Sequence, residues 1–361
     1  MVYYNTKYII KDDYKMLFTD LSQKWLDLVS QENYCYQYKK NIKSAVNYLN
    51  NEFGLLKLDS IKSENIKGYI SDISICNPKT KKKSSRKLLS DIVNIGNRIM
   101  EFGIDNDYCE KNPFRNKKDL IPHKAIKNQR YSLSERQQNL VINTEHKAKM
   151  ISMIMMFCGL RLGEVLALTW DDIDLSSNKV AITKTAEQVG NNEYSVTPHT
   201  KNGKDRYVSI PNILHDYLFV EREKRKILTT DLICYKGDRK LHTPSSYYNM
   251  WKSYQTELNY NAYCLECRKM NIISKNKFDP SGIPVVVPRF TAHQLRHTYC
   301  TMLYLSGVDV LTCSHLMGHS SVDITLKIYT HLDEKYKSYN IDKYNEYVNR
   351  NFQSSIYKPT A

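Results

Sequence analysis

From Asp13 to about Phe114 apolar residues recur at intervals of three and four, the spacing that lines one face of an α-helix. Leu17, Leu21, Trp25, Leu26 and Val29 form one such face, and Tyr38, Ile42, Val46, Tyr48 and Leu49 form the next. Ser60 stands before a third helix reaching about Ile75, where Asn77-Pro78 breaks the pattern. Leu88, Leu89, Ile92, Val93, Ile95, Ile99 and Met100 mark a fourth helix, with Gly103 expected to close it. The polar run that follows Asn112-Pro113, through Asn116-Lys-Lys-Asp119 to Pro122, has the character of a linker.

A second region opens with Ser132-Leu-Ser-Glu135, a capping-box pattern, and predicts helices around 134–142 and 145–158. Beyond Trp170 the period changes. Lys179-Val-Ala-Ile-Thr183, roughly Glu193 to Thr197, and Arg206-Tyr-Val-Ser-Ile210 carry β-branched and aromatic residues between turn residues, which predicts a small antiparallel β-sheet. Helical periodicity resumes over Ile213–Lys226, Ser245–Leu258, Thr291–Ser306, Val310–Met317, Val322–His331 and Glu334–Arg350. The fold class expected is mainly α with a small antiparallel sheet. The domain reading is an extension at 1–12, a helical domain at 13–116, a linker at 117–131, an α+β domain at 132–350 and a tail at 351–361.

With 361 residues and 41% of them apolar, one chain has material for two cores. Lysine and arginine outnumber aspartate and glutamate by 53 to 38, so the surface suits a polyanion, nucleic acid above all. Nine scattered cysteines and an N-terminus, Met1-Val-Tyr-Tyr-Asn5, without the features of a signal peptide point to reduced thiols in a cytoplasm. No apolar run reaches the roughly 18 residues that cross a bilayer, since Arg161 and Glu164 interrupt even Met150–Leu168.

The candidate chemistry gathers in two segments far apart in sequence. Thr291-Ala-His-Gln294 has the form of a helix start and sets His293 and Arg296 three residues apart on one face. A helix N-terminus already favours an anion there. Arg161 follows Gly159 where one helix gives way to another, and its planar fork makes paired bonds to phosphate where lysine offers a point charge. Glu164, three residues on, reads as a partner of Arg161. Lys201 stands before a turn in residues 200–211, read as a hairpin leading into a strand, from which its ammonium can protonate a leaving 5′ oxygen. His319 precedes a helix that Ser320 or Ser321 can cap, and Tyr329 lies on that helix. Arginines that clamp phosphate, histidines that move protons and a tyrosine that attacks phosphorus make a metal-free kit for opening a nucleic-acid backbone. Taken singly, a tyrosine on a helix is more often core than nucleophile, and most of the 28 tyrosines must be structural.

The joint pattern resembles the tyrosine recombinase, or phage integrase, family over at least residues 132–350. Gly159-Leu-Arg-Leu-Gly-Glu164 with Leu168-Thr-Trp-Asp-Asp172 is similar to its first arginine box, and His293-Gln-Leu-Arg-His-Thr298 to its second. Leu316-Met-Gly-His319 and Ile328-Tyr-Thr-His331 resemble the histidine and nucleophile segments. The resemblance implies a helical core-binding domain followed by an α+β catalytic domain. It places Arg161, Lys201, His293, Arg296 and His319 around the scissile phosphate, with Glu164 in support and Tyr329 attacking to form a 3′-phosphotyrosine. It implies a site-specific recombinase that integrates and excises a mobile genetic element, needs no metal or other cofactor, and works as four protomers on two DNA duplexes. The last helix would dock on a neighbouring protomer, and accessory directionality or DNA-bending proteins would assist. The expected location is a bacterial cytoplasm, on the nucleoid when bound to DNA.

Several features lie outside that pattern. Family members from temperate phages and conjugative transposons often carry a further N-terminal domain that binds arm sites, whereas helices here begin near Asp13. The segment from Asn259 to Pro288 is longer than a minimal catalytic domain requires. Its Cys264-x-x-Cys267, taken with His293-x-x-x-His297, has a zinc-site format, although the gap is about twice that of a zinc finger. Thr291–Ser306 and Val310–Met317 about Gly307 have the layout of a helix-turn-helix regulator. A related DNA-relaxing enzyme of topoisomerase IB type would share the attack chemistry. Finally, Lys79, Lys81, Lys82, Lys83, Arg86 and Lys87 crowd the start of the fourth helix, where their charge opposes the helix dipole unless phosphate neutralises it. They are the candidate backbone-phosphate contacts.

Overall fold

The structure, a computed structural model, describes residues 16–122, 131–198, 203, 205–225 and 230–329, with 346 and 350 as isolated helical positions. The chain divides into two compact units, Met1–Gln129 and Arg130–Ala361, each with its own apolar core.

The first unit is helical: α1 Phe18–Gln31, α2 Tyr36–Phe53, a 3-10 turn Leu58–Ser60, α3 Ser63–Ile75, α4 Arg86–Asp105 and the short α5 Lys117–Leu120. Phe18, Leu21, Trp25 and Val29 fall on one stripe of α1 and are buried against Ile42, Val46, Leu49, Ile92 and Ile99. Burial of each such side chain contributes about 1.5–3 kcal/mol. Leu120 and Ile121 belong to this same core.

Two expectations change here. Helix α3 starts after Lys62 rather than after Ser60, because residues 58–60 close a 3-10 turn first. Gly103 does not end α4, which runs two residues further. A Cβ at that position would lie 2.9 Å from both Leu21 Cδ2 and Cys109 Sγ, so the glycine serves close packing inside the helix.

The second unit contains α6 Glu135–Asn143, α7 Lys149–Cys158, α8 Leu162–Ala167, a 3-10 turn Trp170–Asp172, and strands β1 Ile173–Asp174, β2 Lys179–Ile182, β3 Thr185–Gly190, β4 Glu193–Thr197 and β5 Arg206–Ser209. Helices α9 Asn212–Arg225, α10 Pro244–Lys269, α11 Ala292–Leu305, α12 Val310–Met317 and α13 Val322–Tyr329 follow. The box at the start of α6 is Ser134 with Gln137, two residues beyond the expected Ser132 with Glu135: Ser134 N–H donates to Gln137 Oε1 at 3.0 Å. Helix α7 is buried along almost its whole length, from Met150 to Met156, and packs against α11 at the centre of the unit.

The strands form two antiparallel sheets, β1-β2-β5 and β3-β4. In the first, Val180 faces Val208 and Ile182 faces Arg206. Of the hairpin turn expected within residues 200–211, positions 200–202 and 204 lie outside the described residues; the strand it was expected to lead into is β5, which pairs with β2, while β4 pairs with β3. The expected Val322–His331 helix is described to Tyr329, and the expected last helix, Glu334–Arg350, lies outside the described residues except at Glu346 and Arg350. Helix α10 continues eleven residues beyond the expected Leu258 and so absorbs Cys264 and Cys267.

Candidate active site

The site grows from three helix ends in the second unit. Helix α7 stops at Gly159, whose φ of 66° turns the chain. A Cβ there would lie 2.1 Å from the Tyr299 ring, so α11 approaches closely enough to require glycine. Two residues later Arg161 occupies the N-cap of α8. Its N–H donates to Glu164 Oε2 at 2.7 Å, and its Nη1 donates to Glu164 Oε1 at 2.8 Å. The predicted pairing of these two residues is present, with 25% of the Arg161 side chain exposed and only 1% of that of Glu164.

Glu164 also carries a second arginine that no sequence motif singles out. Arg206, on β5, donates Nη1 to Glu164 Oε1 at 3.0 Å and Nη2 to Oε2 at 2.7 Å. This is a buried fork-to-carboxylate pair. Burial pushes the Glu164 carboxyl up, but bonding and charge from Arg206, then from Arg161, outweigh it and hold the group below the usual carboxylate range.

Arg296 lies on α11 and is almost fully buried. It donates Nη1 to the Gly159 carbonyl and Nη2 to the Met317 carbonyl. Burial, then the charge of Arg161, pushes its guanidinium down to about 9, so it remains cationic at neutral pH.

All three arginines meet at the C-terminus of α12. Arg206 Nε donates to the Leu316 carbonyl at 2.9 Å, Arg296 to Met317 and Arg161 Nη2 to Gly318. Three successive carbonyls, the acceptors that a helix leaves unmet at its end, thus each bind a different guanidinium. Gly318 caps α12 in the left-handed conformation, φ 60°, and a Cβ there would sit 2.9 Å from Arg206 Nη1.

His319 follows immediately. Its Nδ1 shares a 2.8 Å hydrogen bond with Thr325 Oγ1, a buried residue of α13. Burial, then the nearby charges of Arg296 and Arg161, pushes His319 down to about 4, so the ring is neutral at physiological pH. Tyr329 ends α13, four residues after Thr325, and α13 packs on α11 and α12. His293 is exposed in the first turn of α11, and its ring stands edge-on to that of His297 with centroids 4.7 Å apart. Thr291 N–H donates to Gln294 Oε1 at 2.9 Å, as the predicted helix start requires.

Arg161, Glu164, Arg296 and His319 are therefore gathered around one helix end, with the backbone of Tyr329 on an adjoining helix. Lys201 lies outside the described residues, as does the side chain of Tyr329. Arg206 was missed because arginine is ordinarily a surface residue. Its signal was its phase: in Arg206-Tyr-Val-Ser it alternates with Val208 on the inward face of β5.

With this arrangement in view, comparison with known proteins gives a consistent answer. The phage integrase family profile matches residues 133–336. The chain belongs to the phage integrase family. Its class is that of the tyrosine-type site-specific DNA recombinases. The XerC-like tyrosine recombinase of Caldanaerobacter subterraneus subsp. tengcongensis is 28% identical over 346 residues, covering 91% of this chain and 82% of that protein. Among solved structures, the Tn1549 transposon integrase in complex with transposon right end DNA shares the fold with a TM-score of 0.69 at 17% identity, covering 91% of this chain and all of that one. A lambda integrase tetramer bound to a Holliday junction superposes with a TM-score of 0.59 at 14% identity, covering 88% of this chain and 78% of that one.

Two further groups complete the description of this integrase-family chain. Cys264 and Cys267 are free thiols on α10, and among the described residues no three His, Cys, Asp or Glu side chains stand close enough to hold a metal ion. No described helix is long and apolar enough to cross a membrane. In the first unit Asn77 is buried and organises the basic loop: its Oδ1 accepts from Tyr48 Oη at 3.0 Å, Lys79 N–H at 2.9 Å and Thr80 N–H at 3.2 Å, while its Nδ2 donates to Ser84 Oγ at 3.0 Å. Lys79, Lys81, Lys82 and Lys83 project from this loop into solvent, with the Lys79 ammonium 4.3 Å from the centre of the Tyr48 ring. Arg86 donates to the Pro122 carbonyl at 3.1 Å and Lys87 pairs with Asp91, so these two already have protein partners.

Proposed function

We propose that this chain is the recombinase of a mobile genetic element, joining and releasing that element at specific sites in double-stranded DNA. The observation that carries the reading is the gathering of Arg161, Arg206 and Arg296 at the end of α12, where Glu164, bound by Arg161 and Arg206, is the carboxylate among them, which leaves two net positive charges beside Tyr329's helix. A phosphodiester under in-line attack develops two negative charges, so the cluster suits the transition state better than the ground state.

In this reading Arg161 and Arg296 bind the non-bridging oxygens of the scissile phosphate. The Tyr329 oxygen bonds to phosphorus and the bond to the 5′ oxygen breaks. Lys201 gives the departing oxygen its proton, while His293 and His319 hydrogen-bond the phosphate and take up the phenol's proton. The 3′-phosphotyrosine conserves the ester, and a 5′ hydroxyl from another strand reverses the attack without ATP. No step needs a cofactor. Glu164 supports Arg161. Lys79, Lys81, Lys82 and Lys83, with Arg86 and Lys87, lie along the duplex backbone.

Four protomers act on two duplexes, by analogy with the lambda integrase tetramer bound to a Holliday junction, and the expected last helix of each docks on its neighbour. Accessory directionality or bending proteins set the direction, and the enzyme works in the bacterial cytoplasm. The domain division read from the sequence, with the helical region at 13–116 and the catalytic region at 132–350, fits this division of labour. Family membership disfavours a non-enzymatic regulator.

The test is a nicked suicide duplex carrying the element's end. Wild-type protein should become attached to a 3′ end without magnesium or ATP, and Tyr329→Phe should bind the duplex without attaching. Equal attachment in both would remove Tyr329 as nucleophile. Relaxation of plasmid supercoils without any joining of two sites would instead favour a topoisomerase-like role.

A further inference from the structure

We propose that Arg206 is a positioning residue for recombination: by saturating Glu164 and anchoring the end of α12, it keeps the Arg161 guanidinium available to phosphate and fixes the start of the His319 segment. The inference rests on the reading above, in which Arg161 binds the scissile phosphate.

Glu164 alone next to Arg161 would be expected to form the bidentate pair that carboxylates and guanidinium groups prefer. That pair would draw the Arg161 fork inward and occupy the face it needs for phosphate. Arg206 takes this place instead, meeting both carboxylate oxygens at 3.0 and 2.7 Å. Oε2 accepts in addition the Arg161 N–H, and the Arg161 side chain is left with one contact to the carboxylate, at 2.8 Å to Oε1. Its outer face remains partly exposed.

The third donor of Arg206 reaches in the opposite direction. Nε holds the Leu316 carbonyl at 2.9 Å, and Gly318 comes so close to the same guanidinium that a Cβ there would lie 2.9 Å from Nη1 and 3.2 Å from Cζ. One planar group therefore fixes two things at once: the carboxylate that orients Arg161 and the backbone that leads into His319. Lysine supplies the charge without the fork and can satisfy only part of this geometry. All three nitrogens of the Arg206 guanidinium are engaged, two by Glu164 and one by the Leu316 carbonyl.

The experiment measures duplex affinity and the single-turnover rate of covalent attachment to a suicide duplex for Arg206→Lys, Arg206→Met, Arg161→Ala and the double variant Arg206→Met with Glu164→Gln. Arg206→Lys and Arg206→Met should slow attachment by about 10-fold and about 100-fold respectively, with affinity within about threefold of wild type. The double variant should attach faster than Arg206→Met alone, because a neutral amide no longer captures Arg161. Thermal unfolding and circular dichroism identify any variant that fails to fold; Arg206→Lys is the milder change and decides the matter if Arg206→Met does. A rate loss in Arg206→Lys matched by an equal affinity loss, or an unchanged rate, would overturn the proposal, as would losses in the double variant that simply add. If Arg161→Ala attaches at the wild-type rate, the reading of Arg161 fails first; if only the Arg206 variants behave as wild type, the positioning role alone fails.

Discussion

His319 Nδ1 lies 2.8 Å from the hydroxyl of Thr325, which is wholly buried one turn before Tyr329 on α13. The bond ties the segment after α12 to the helix that ends in the tyrosine, and leaves Nε2 as the ring's other polar atom. Thr325→Val keeps the shape and removes the partner. It should cost about 1 kcal/mol in chemical unfolding and slow attachment to a suicide duplex by about 10-fold, while duplex affinity holds. An unchanged attachment rate would mean that the hydroxyl has no part in orienting the ring.

His319 also sets a pH dependence. Its proton affinity falls from the ordinary histidine value to about 4 in the folded chain, through burial first and then the charges of Arg296 and Arg161. Between those values the unfolded chain binds the proton and the folded chain does not, so stability rises with pH there. The contribution is complete above about pH 6.5 and is lost as pH falls towards 4. Thermal unfolding of His319→Gln should accordingly be less sensitive to pH across this window than that of the wild type.

Glu164 acts in the same direction at lower pH. Its carboxyl is held below the usual range because Arg206 and Arg161 outweigh the cost of burial. The stabilisation is present above the unfolded value and disappears as pH drops through the folded one. Glu164→Ala strands two guanidinium groups that are otherwise paired, and should cost about 3–5 kcal/mol at neutral pH in urea unfolding. The gap between variant and wild type should narrow as the solution is acidified.

Gly318→Ala tests the close approach at the end of α12. An alanine there bears the left-handed penalty of about 1–2 kcal/mol and pushes its methyl against Arg206 Nη1. A loss of about 2 kcal/mol or more is expected, together with slower attachment. Gly159→Ala, facing the Tyr299 ring at 2.1 Å, should be the more damaging of the two in the same unfolding assay.

For the basic loop, charge reversal of Lys81, Lys82 and Lys83 to glutamate should weaken duplex binding for every sequence tested. The slope of log affinity against log salt should become shallower by about 0.9 for each phosphate that is no longer neutralised. Equal salt slopes in variant and wild type would make the loop a solvated feature of the first unit. Asn77→Ala provides a separate check, because it leaves every lysine in place but removes the bonds that order them.

Much of this was legible in the chain itself, and what was not has physical reasons. Helices whose apolar stripe is unbroken, such as α1 and α4, were readable by periodicity, and Thr291 with Gln294 announced the start of α11. The Arg161–Glu164 pair followed from a three-residue spacing. Strand β3, Thr-Ala-Glu-Gln-Val-Gly, was hidden because little in it is β-branched or aromatic; its place comes from pairing with β4 and from α8, where a Cβ on Gly163 would lie 2.6 Å from the Ala186 carbonyl. Arg206 was hidden for a different reason: what makes it important is a carboxylate 42 residues away, which no local pattern encodes.

The acceptors at the end of α12 belong to the main chain, and this shapes what genetics can detect. Replacing the side chains of Leu316 or Met317 alters packing but leaves both oxygens where the arginines find them. A scan of single replacements will therefore under-report the electrostatic role of this turn. Exchanging the peptide links themselves for esters, which weakens the carbonyl as an acceptor without touching a side chain, would expose it.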